Sequence, residues 1–314
     1  EVSVSVDPKT GDVAGLSVFP SGRAFTESGL ELQIGVVIPP ELDTTTTVIE
    51  VASEVAAIRD LAAKLPSRWG AAAAPQLQSL PRERSMIHLD RPEPGGRSFS
   101  FAFDELRVAP VAASFERTPS FLVVGPEQSG KTTVAEVLLR QFLSAWPDGD
   151  VALLTARRSP LATLVRSDQT YFGQGDVFDY LRDQRNGMAK RVDEAPSRPL
   201  LWILDDADSL MANDRLREEL DPTCLQWRDA NIIFVACVGQ GAAERTYAPW
   251  FRQMQGARHG LILMPSDLQK AGDLLQEKLP NRNRLELCPG RGFMLSRSGY
   301  NLVQVALPDH DVSS

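Results

Sequence analysis

The sequence predicts an α/β fold: a doubly wound, mostly parallel sheet flanked by helices, preceded by strands and a linker helix that belong to an earlier domain. Three observations carry this. From about residue 120 onward, short apolar runs alternate with amphipathic segments, the pattern of successive βαβ units. The run FLVV leads into Gly125-Pro126-Glu127-Gln128-Ser129-Gly130-Lys131-Thr132-Thr133, which fills G-x-x-x-x-G-K-[ST]. A second run, LLWIL, ends in the adjacent carboxylates Asp205 and Asp206.

At 314 residues and 43% hydrophobic content the chain can bury an α/β core. Its longest apolar runs, LLWIL and NIIFVACV, fall far short of the roughly 20 residues that span a bilayer. The chain opens on Glu1 without an initiator Met and is read as a piece of a longer protein, so that any membrane anchor would lie in parts of the parent absent here. Cys224, Cys237 and Cys288 have no C-x-x-C spacing, and His88, His259 and His310 form no ligand set, which points to reduced thiols in a cytosolic compartment. The formal net charge of −8 opposes non-specific adhesion to nucleic acid while leaving room for a local basic groove.

Taken in order, residues 1–40 read as tail strands of a preceding copy of the same domain. SGRAFTESGLELQIGVVIP at 21–39 resembles PGRGFMLSRSGYNLVQVALP near the end of the chain: both run Gly-Arg-x-Phe, a Ser-Gly turn, then an apolar strand closed by Pro. Two unrelated hairpins with shared turn chemistry remain the alternative. Residues 41–84 form a linker containing an amphipathic helix from Val48 to Leu65, followed by an Ala/Pro/Arg/Gly-rich stretch. A linker this long is uncommon without a role, and Gln76 to Leu89 could dock back on the domain that follows and couple the tandem copies. The main domain occupies 85–308, with a tail at 309–314. It runs through strand segments in FSFAFDELRVAPVAASF, the strand FLVV, a helix from Thr132 to about Trp146, and the strand VALLT with a loop carrying Arg157 and Arg158. A helix over 176–195, the strand LLWILDD, a helix over about 213–227, the strand NIIFVACV and a strand-helix pair with Ser266 as cap complete the order.

The motif at Gly125–Thr133 carries specific chemistry. A glycine-rich turn lets backbone N–H groups converge on anionic oxygens, Lys131 can reach the β and γ phosphates, and the Thr132 hydroxyl can ligate Mg²⁺. The following helix adds a positive field at the same point. A turn that merely joined strand to helix would not need Lys there, so the expected ligand is ATP with Mg²⁺. Asp205 would then hold the metal through water, and Asp206 would stand where hydrolysing motors place a Glu that orients the attacking water. Asp is one methylene shorter, and a displacement of about 1 Å can cost on the order of 10²-fold in rate. The alternative for the pair is a helix N-cap after a strand. NIIFVACV should end near the γ-phosphate with Ala236 and Cys237, leaving Gln240 as the polar sensor candidate. Arg245, Arg252 and Arg258 are candidates for an arginine finger.

FDELRVAPVAASF, GPEQSGKTT, the Arg157-Arg158 loop, LLWILDD and the closing PGRGFM hairpin together resemble the FtsK/SpoIIIE-type ATPases, and within them the last ATPase domain of the EccC-type motors of type VII (ESX) secretion. That resemblance implies a RecA-like P-loop NTPase fold and a membrane-anchored parent at the cytoplasmic face of the bacterial inner membrane. It also implies neighbouring ATPase domains in the same chain, hexameric assembly, and engagement of Esx/WXG-type secreted substrates. Three positions depart from it: Thr155-Ala156 precede the Arg pair where relatives tend to be acidic, Asp206 replaces Glu, and the sensor position is apolar. The expected function is an ATP-binding secretion domain with weak or regulated hydrolysis. A largely non-hydrolysing receptor is the alternative, and a DNA translocase is opposed by the acidic balance.

Overall fold

The computed structural model describes residues 79–309 apart from 195, 225, 280–286 and 297–298, together with four short strands and one helix within the first 78 residues. The chain forms two compact units, Glu1–Gln76 and Leu77–Ser314, so the second begins ahead of the expected boundary at 85.

In the first unit, β1 (Ser5–Val6) pairs antiparallel with β2 (Val13–Ala14), and β3 (Arg23–Phe25) with β4 (Glu31–Gln33). The first Gly-Arg-x-Phe segment thus enters a hairpin, with Arg23 opposite Gln33. The amphipathic helix is α1 (Val51–Trp69), which runs past the expected end at Leu65; the expected start, Val48 to Glu50, lies outside the described residues.

The second unit runs β5 (Ser98–Asp104), β6 (Pro110–Ser114), β7 (Ser120–Gly125), α2 (Lys131–Ala145), β8 (Asp150–Thr155), β9 (Thr170–Phe172), α3 (Gly173–Glu194), β10 (Leu200–Asp205), α4 (Ala207–Met211), α5 (Asp214–Cys224), β11 (Ile232–Gly239), α6 (Gln240–Ala243), α7 (Pro249–Gly256), β12 (Gly260–Leu263), α8 (Leu268–Leu275), β13 (Arg291–Ser296) and β14 (Gly299–Val305). These strands form a ten-stranded sheet in the order β6-β5-β14-β13-β12-β7-β11-β10-β8-β9. From β12 to β9 every pairing is parallel; from β12 out to β6 every pairing is antiparallel. The doubly wound part is therefore the nucleotide-type half, extended on one side by hairpins.

The central strands are apolar without alternation because helices cover both faces. Successive side chains still point to opposite sides. Leu122, Val124, Trp202, Leu204, Phe234 and Ala236 enter one core with α3, α5 and α7, while Phe121, Val123, Ile203, Val235 and Cys237 enter the other with α2. α2 buries Val134, Val137, Leu138 and Phe142 at helical spacing, and Trp146 closes it by donating Nε1 to the Gly96 carbonyl at 2.9 Å.

Two boundaries differ from expectation. α5 ends at Cys224 rather than Trp227, because residues 226–231 turn back into β11: Ala230 N bonds Gln226 O and Ile232 N bonds Trp227 O. The cap of α8 is Asp267, not Ser266; its side chain accepts from Gln269 N and Lys270 N.

The segment from Leu80 to Leu89 belongs to the second unit and packs against its closing strands. Met86 N donates to Leu307 O and Leu307 N to Arg84 O, both at 2.8 Å. The Arg84 guanidinium lies over the Phe103 ring, 4.3 Å from its centroid, and Arg291 Nη2 donates to the carbonyls of Leu80 (2.9 Å) and Pro81 (2.7 Å). Gln76 to Gln78 are outside the described residues in this respect. No helix among the described residues is long and apolar enough to cross a membrane.

Candidate functional site

The sheet order places β11 between β7 and β10, so the loop after β7 and the carboxylates after β10 open on the same edge with one strand between them. This is the carboxyl edge of the parallel strands, where open α/β sheets bind ligands.

The loop is built on backbone. Gly125 is buried, and a Cβ there would meet Ser129 Oγ at 2.5 Å. Gly130 has φ 98°, a left-handed conformation that favours glycine, and it starts α2. Lys131 Nζ folds over the loop, donating to the carbonyls of Gly125 (3.0 Å) and Pro126 (2.7 Å). Ser129 Oγ is fully buried with no hydrogen-bond partner. A buried hydroxyl left unpaired costs free energy of about 1–3 kcal/mol. Here it lies in a loop that also presents the N-terminus of a 15-residue helix and an ammonium group, which is the donor set that fits an anionic oxygen. The residues present therefore fit a phosphate group.

Across β11, Thr132 Oγ1 donates to Asp205, 3.2 Å from Oδ1 and 3.4 Å from Oδ2. Ser159 Oγ donates to Asp205 Oδ2 at 2.7 Å. Asp205 is buried, and burial pushes its pKa up from the ordinary carboxylate value; the Ser159 and Thr132 hydrogen bonds pull the other way. A hydroxyl and a carboxylate converging in this way are hard oxygen donors suited to Mg²⁺.

Asp206 has a different environment. It stands at the N-cap position of α4 in the left-handed region (φ 58°, ψ 43°), yet its side chain makes no capping hydrogen bond. The helix-cap alternative for the pair thus does not account for either side chain: Asp205 is held by Thr132 and Ser159, and Asp206 faces Arg157, whose Nε lies 3.6 Å from Oδ2. Both side chains of that ion pair are well exposed.

The expectation about β11 needs correction. Ala236 and Cys237 are fully buried within the strand, which continues to Gly239 opposite Gly125. The tip beside the loop is Gly239-Gln240. Cys237 nevertheless approaches the site from below, with Sγ 3.5 Å from Lys131 O, and burial pushes its thiol pKa well up. Gln240 Nε2 bonds Glu244 on its own short helix. Of the arginine candidates, Arg258 is ion-paired with Glu277 and Arg252 lies over the Tyr247 ring. Arg245 lines an open cleft beside the loop with Pro126, Glu127, Gln240 and Lys270.

Three residues escaped the sequence reading. Ser159 is the second donor to Asp205. Asp208 Oδ1 accepts from Gly239 N at 2.6 Å and ties α4 to the tip of β11. Gly290 N donates to Ser129 O at 2.8 Å, so the closing hairpin supports the loop from behind. Ser159 before Pro160 is a legible helix-start signal, but nothing in sequence spacing says that it faces Asp205. The Gly290 contact joins segments about 160 residues apart, and only tertiary pairing reveals it.

No family model matches the chain. The ESX secretion system protein EccC of Thermomonospora curvata is 24% identical over 309 residues, covering 91% of this chain and 22% of that protein. The structure of Thermomonospora curvata EccC (ATPases 2 and 3) in complex with a signal sequence peptide matches with TM-score 0.68 and 20% identity, over 95% of this chain and 55% of that one. EssC (ATPases 2 and 3) from Geobacillus thermodenitrificans matches with TM-score 0.62 and 18% identity, over 94% and 57%. This chain thus spans about a fifth of its curated relative's length. In sequence and in fold it is similar to the EccC-type ATPase domains of the FtsK/SpoIIIE class.

Proposed function

We propose that the second unit is an ATP–Mg²⁺-binding domain of a type VII secretion motor, with weak or regulated hydrolysis, and that it engages exported Esx/WXG-type substrates. The observation that carries the nucleotide reading is the Thr132–Asp205 hydrogen bond, which brings the phosphate loop and the carboxylate strand to one point from two elements 73 residues apart. The unpaired buried hydroxyl of Ser129 supports it.

In this reading the backbone of Gly125 to Thr133 and the Lys131 ammonium hold the triphosphate, while Thr132 and Asp205 hold Mg²⁺. Bound Mg²⁺ would draw charge from the phosphate oxygens. Asp206 would orient the attacking water, and its approach to Arg157 and its short side chain both favour a slow site. An arginine from a neighbouring subunit would complete it in a hexamer.

The relative whose structure is in complex with a signal sequence peptide supports a receptor role here. The same support extends to tandem organisation, in which the first unit would be the tail of a preceding ATPase domain. The parent would act at the cytoplasmic face of the inner membrane. A largely non-hydrolysing receptor is the second reading, favoured by the short Asp206 side chain and its approach to Arg157; a net charge of −8 disfavours duplex DNA as the cargo.

Titration of the 314-residue chain with a fluorescent ATP analogue tests the nucleotide site. Lys131→Ala should weaken binding at least about 10-fold, the loss of one charge-assisted contact worth roughly 1.5–3 kcal/mol. Equal affinity of variant and wild type would sink the reading.

A further inference from the structure

The loop that follows β8 reaches into the site with a geometry that the nucleotide reading does not use. β8 runs parallel to β10 with Thr155 opposite Asp205, so residues 156–159 leave the sheet directly beside the carboxylate. Thr155 Oγ1 donates to Arg157 O at 2.7 Å and folds the loop back on itself. Ser159 is then pinned from the other side. Its Oγ accepts from Leu161 N at 3.3 Å, as the cap of the 3-10 turn Pro160–Thr163, and Leu161 is fully buried against the α2 core.

That capping bond fixes the direction of the hydroxyl. One Ser159 lone pair faces Leu161 N–H, and the proton points to Asp205 Oδ2 at 2.7 Å. Thr132 Oγ1 approaches from another side, 3.2 Å from Oδ1 and 3.4 Å from Oδ2. Two donors from two different elements therefore define the plane of a carboxylate that is only 6% exposed. Neither donor alone would do so, because a single hydrogen bond leaves the carboxylate free to rotate about its last torsion.

We propose that Ser159 is a positioning residue for the divalent cation: it holds Asp205 so that Oδ1 stays paired with Thr132 and the remaining lone pairs face the phosphate loop. The inference rests on the ATP–Mg²⁺ reading above. Ser159 touches neither nucleotide nor metal; it acts through Asp205, as outer-shell partners of metal-binding carboxylates do.

The test separates metal from nucleotide. A fluorescent ATP analogue is titrated into the full chain, wild type, Ser159→Ala and Ser159→Thr, once in EDTA and once across a Mg²⁺ series. Ser159→Ala should raise the Mg²⁺ concentration for half-maximal tightening by about 10-fold and leave affinity in EDTA unchanged. Ser159→Thr, which keeps the hydroxyl, should restore the wild-type Mg²⁺ response. Should Ser159→Ala fail to fold, Ser159→Cys, with only a weak donor at the same place, carries the same expectation. An unchanged Mg²⁺ requirement in the variant overturns the proposal, and so does an equal loss of affinity in EDTA, which would mark general loop damage. A wild-type chain that binds nucleotide with no Mg²⁺ response removes the proposal and the metal reading together; one that binds no nucleotide removes the broader reading.

Discussion

Asp205 and Asp206 are neighbours in sequence with opposite surroundings. The first is buried and held by two hydroxyls; the second is exposed, left-handed and close to an arginine. The sequence showed the pair but not the partners, because Thr132 at the start of α2 and Ser159 in the loop after β8 come beside it only once the sheet has formed. Tyr180, packed against the core cluster that holds Trp202 and Leu204, offers a pH test. Tyr180 stacks on Tyr171, with centroids 4.0 Å apart, and packs edge-on to Trp202. Burial, then the neighbouring Tyr171, pushes its phenol pKa upward. A raised folded-state pKa means that the folded chain keeps a proton the unfolded chain releases above about pH 10. Stability from this group is thus intact below that pH and falls above it, by up to about 1.4 kcal/mol per pH unit. Urea melts at pH 8, 10 and 11 should show the wild type losing stability more steeply than Tyr180→Phe; parallel curves would contradict this.

At the scale of elements, the closing hairpin β13–β14 links the linker to the phosphate loop. Arg291 is buried and divides its guanidinium between Gln304 Oε1 (3.1 Å) and the carbonyls of Leu80 and Pro81. Gln304 Nε2 donates to Pro289 O, and the next residue, Gly290, donates to Ser129 O in the loop. The repeated Gly-Arg-x-Phe pattern drew attention to this hairpin in the sequence, and in both units its Arg stands opposite a Gln across the strand pair. What the pattern could not convey is that the arginine grips the preceding linker. Arg291→Ala would strand two carbonyls, at about 1–3 kcal/mol for each that is left unsatisfied. Hydrogen exchange should then show faster exchange at Met86 and Leu89, whose amides bond Leu307 O and Met86 O. Protection at wild-type level would argue that the linker is held by Arg84 and the Leu307 bridge alone.

At the scale of the whole molecule, the two core clusters formed by the described residues lie within residues 80–306, all inside the second unit. A fragment comprising Leu77–Ser314 should therefore fold alone and unfold cooperatively with a melting temperature within a few degrees of the full chain, measured by circular dichroism. A molten, non-cooperative transition would mean that the first unit supplies packing the second requires. The start of this unit at Leu77 goes with the packing of residues 80–89, of which the compositional reading assigns those up to 84 to a linker because Ala, Pro, Arg and Gly carry no periodic apolar signal.

The sequence by itself determined the parallel half of the sheet, the phosphate loop with Lys131 and Thr132, and the carboxylate pair, because each is a local pattern: a continuous apolar run, a fixed motif spacing, a strand end. Tertiary structure alone decided that β11 extends to Gly239, that Asp208 and Gly290 brace the site, that the linker lies on Arg291, and that Ser159 completes the setting of Asp205. Those are contacts between segments brought together by strand order, and strand order follows from how a whole chain buries both faces of its sheet rather than from any stretch within it.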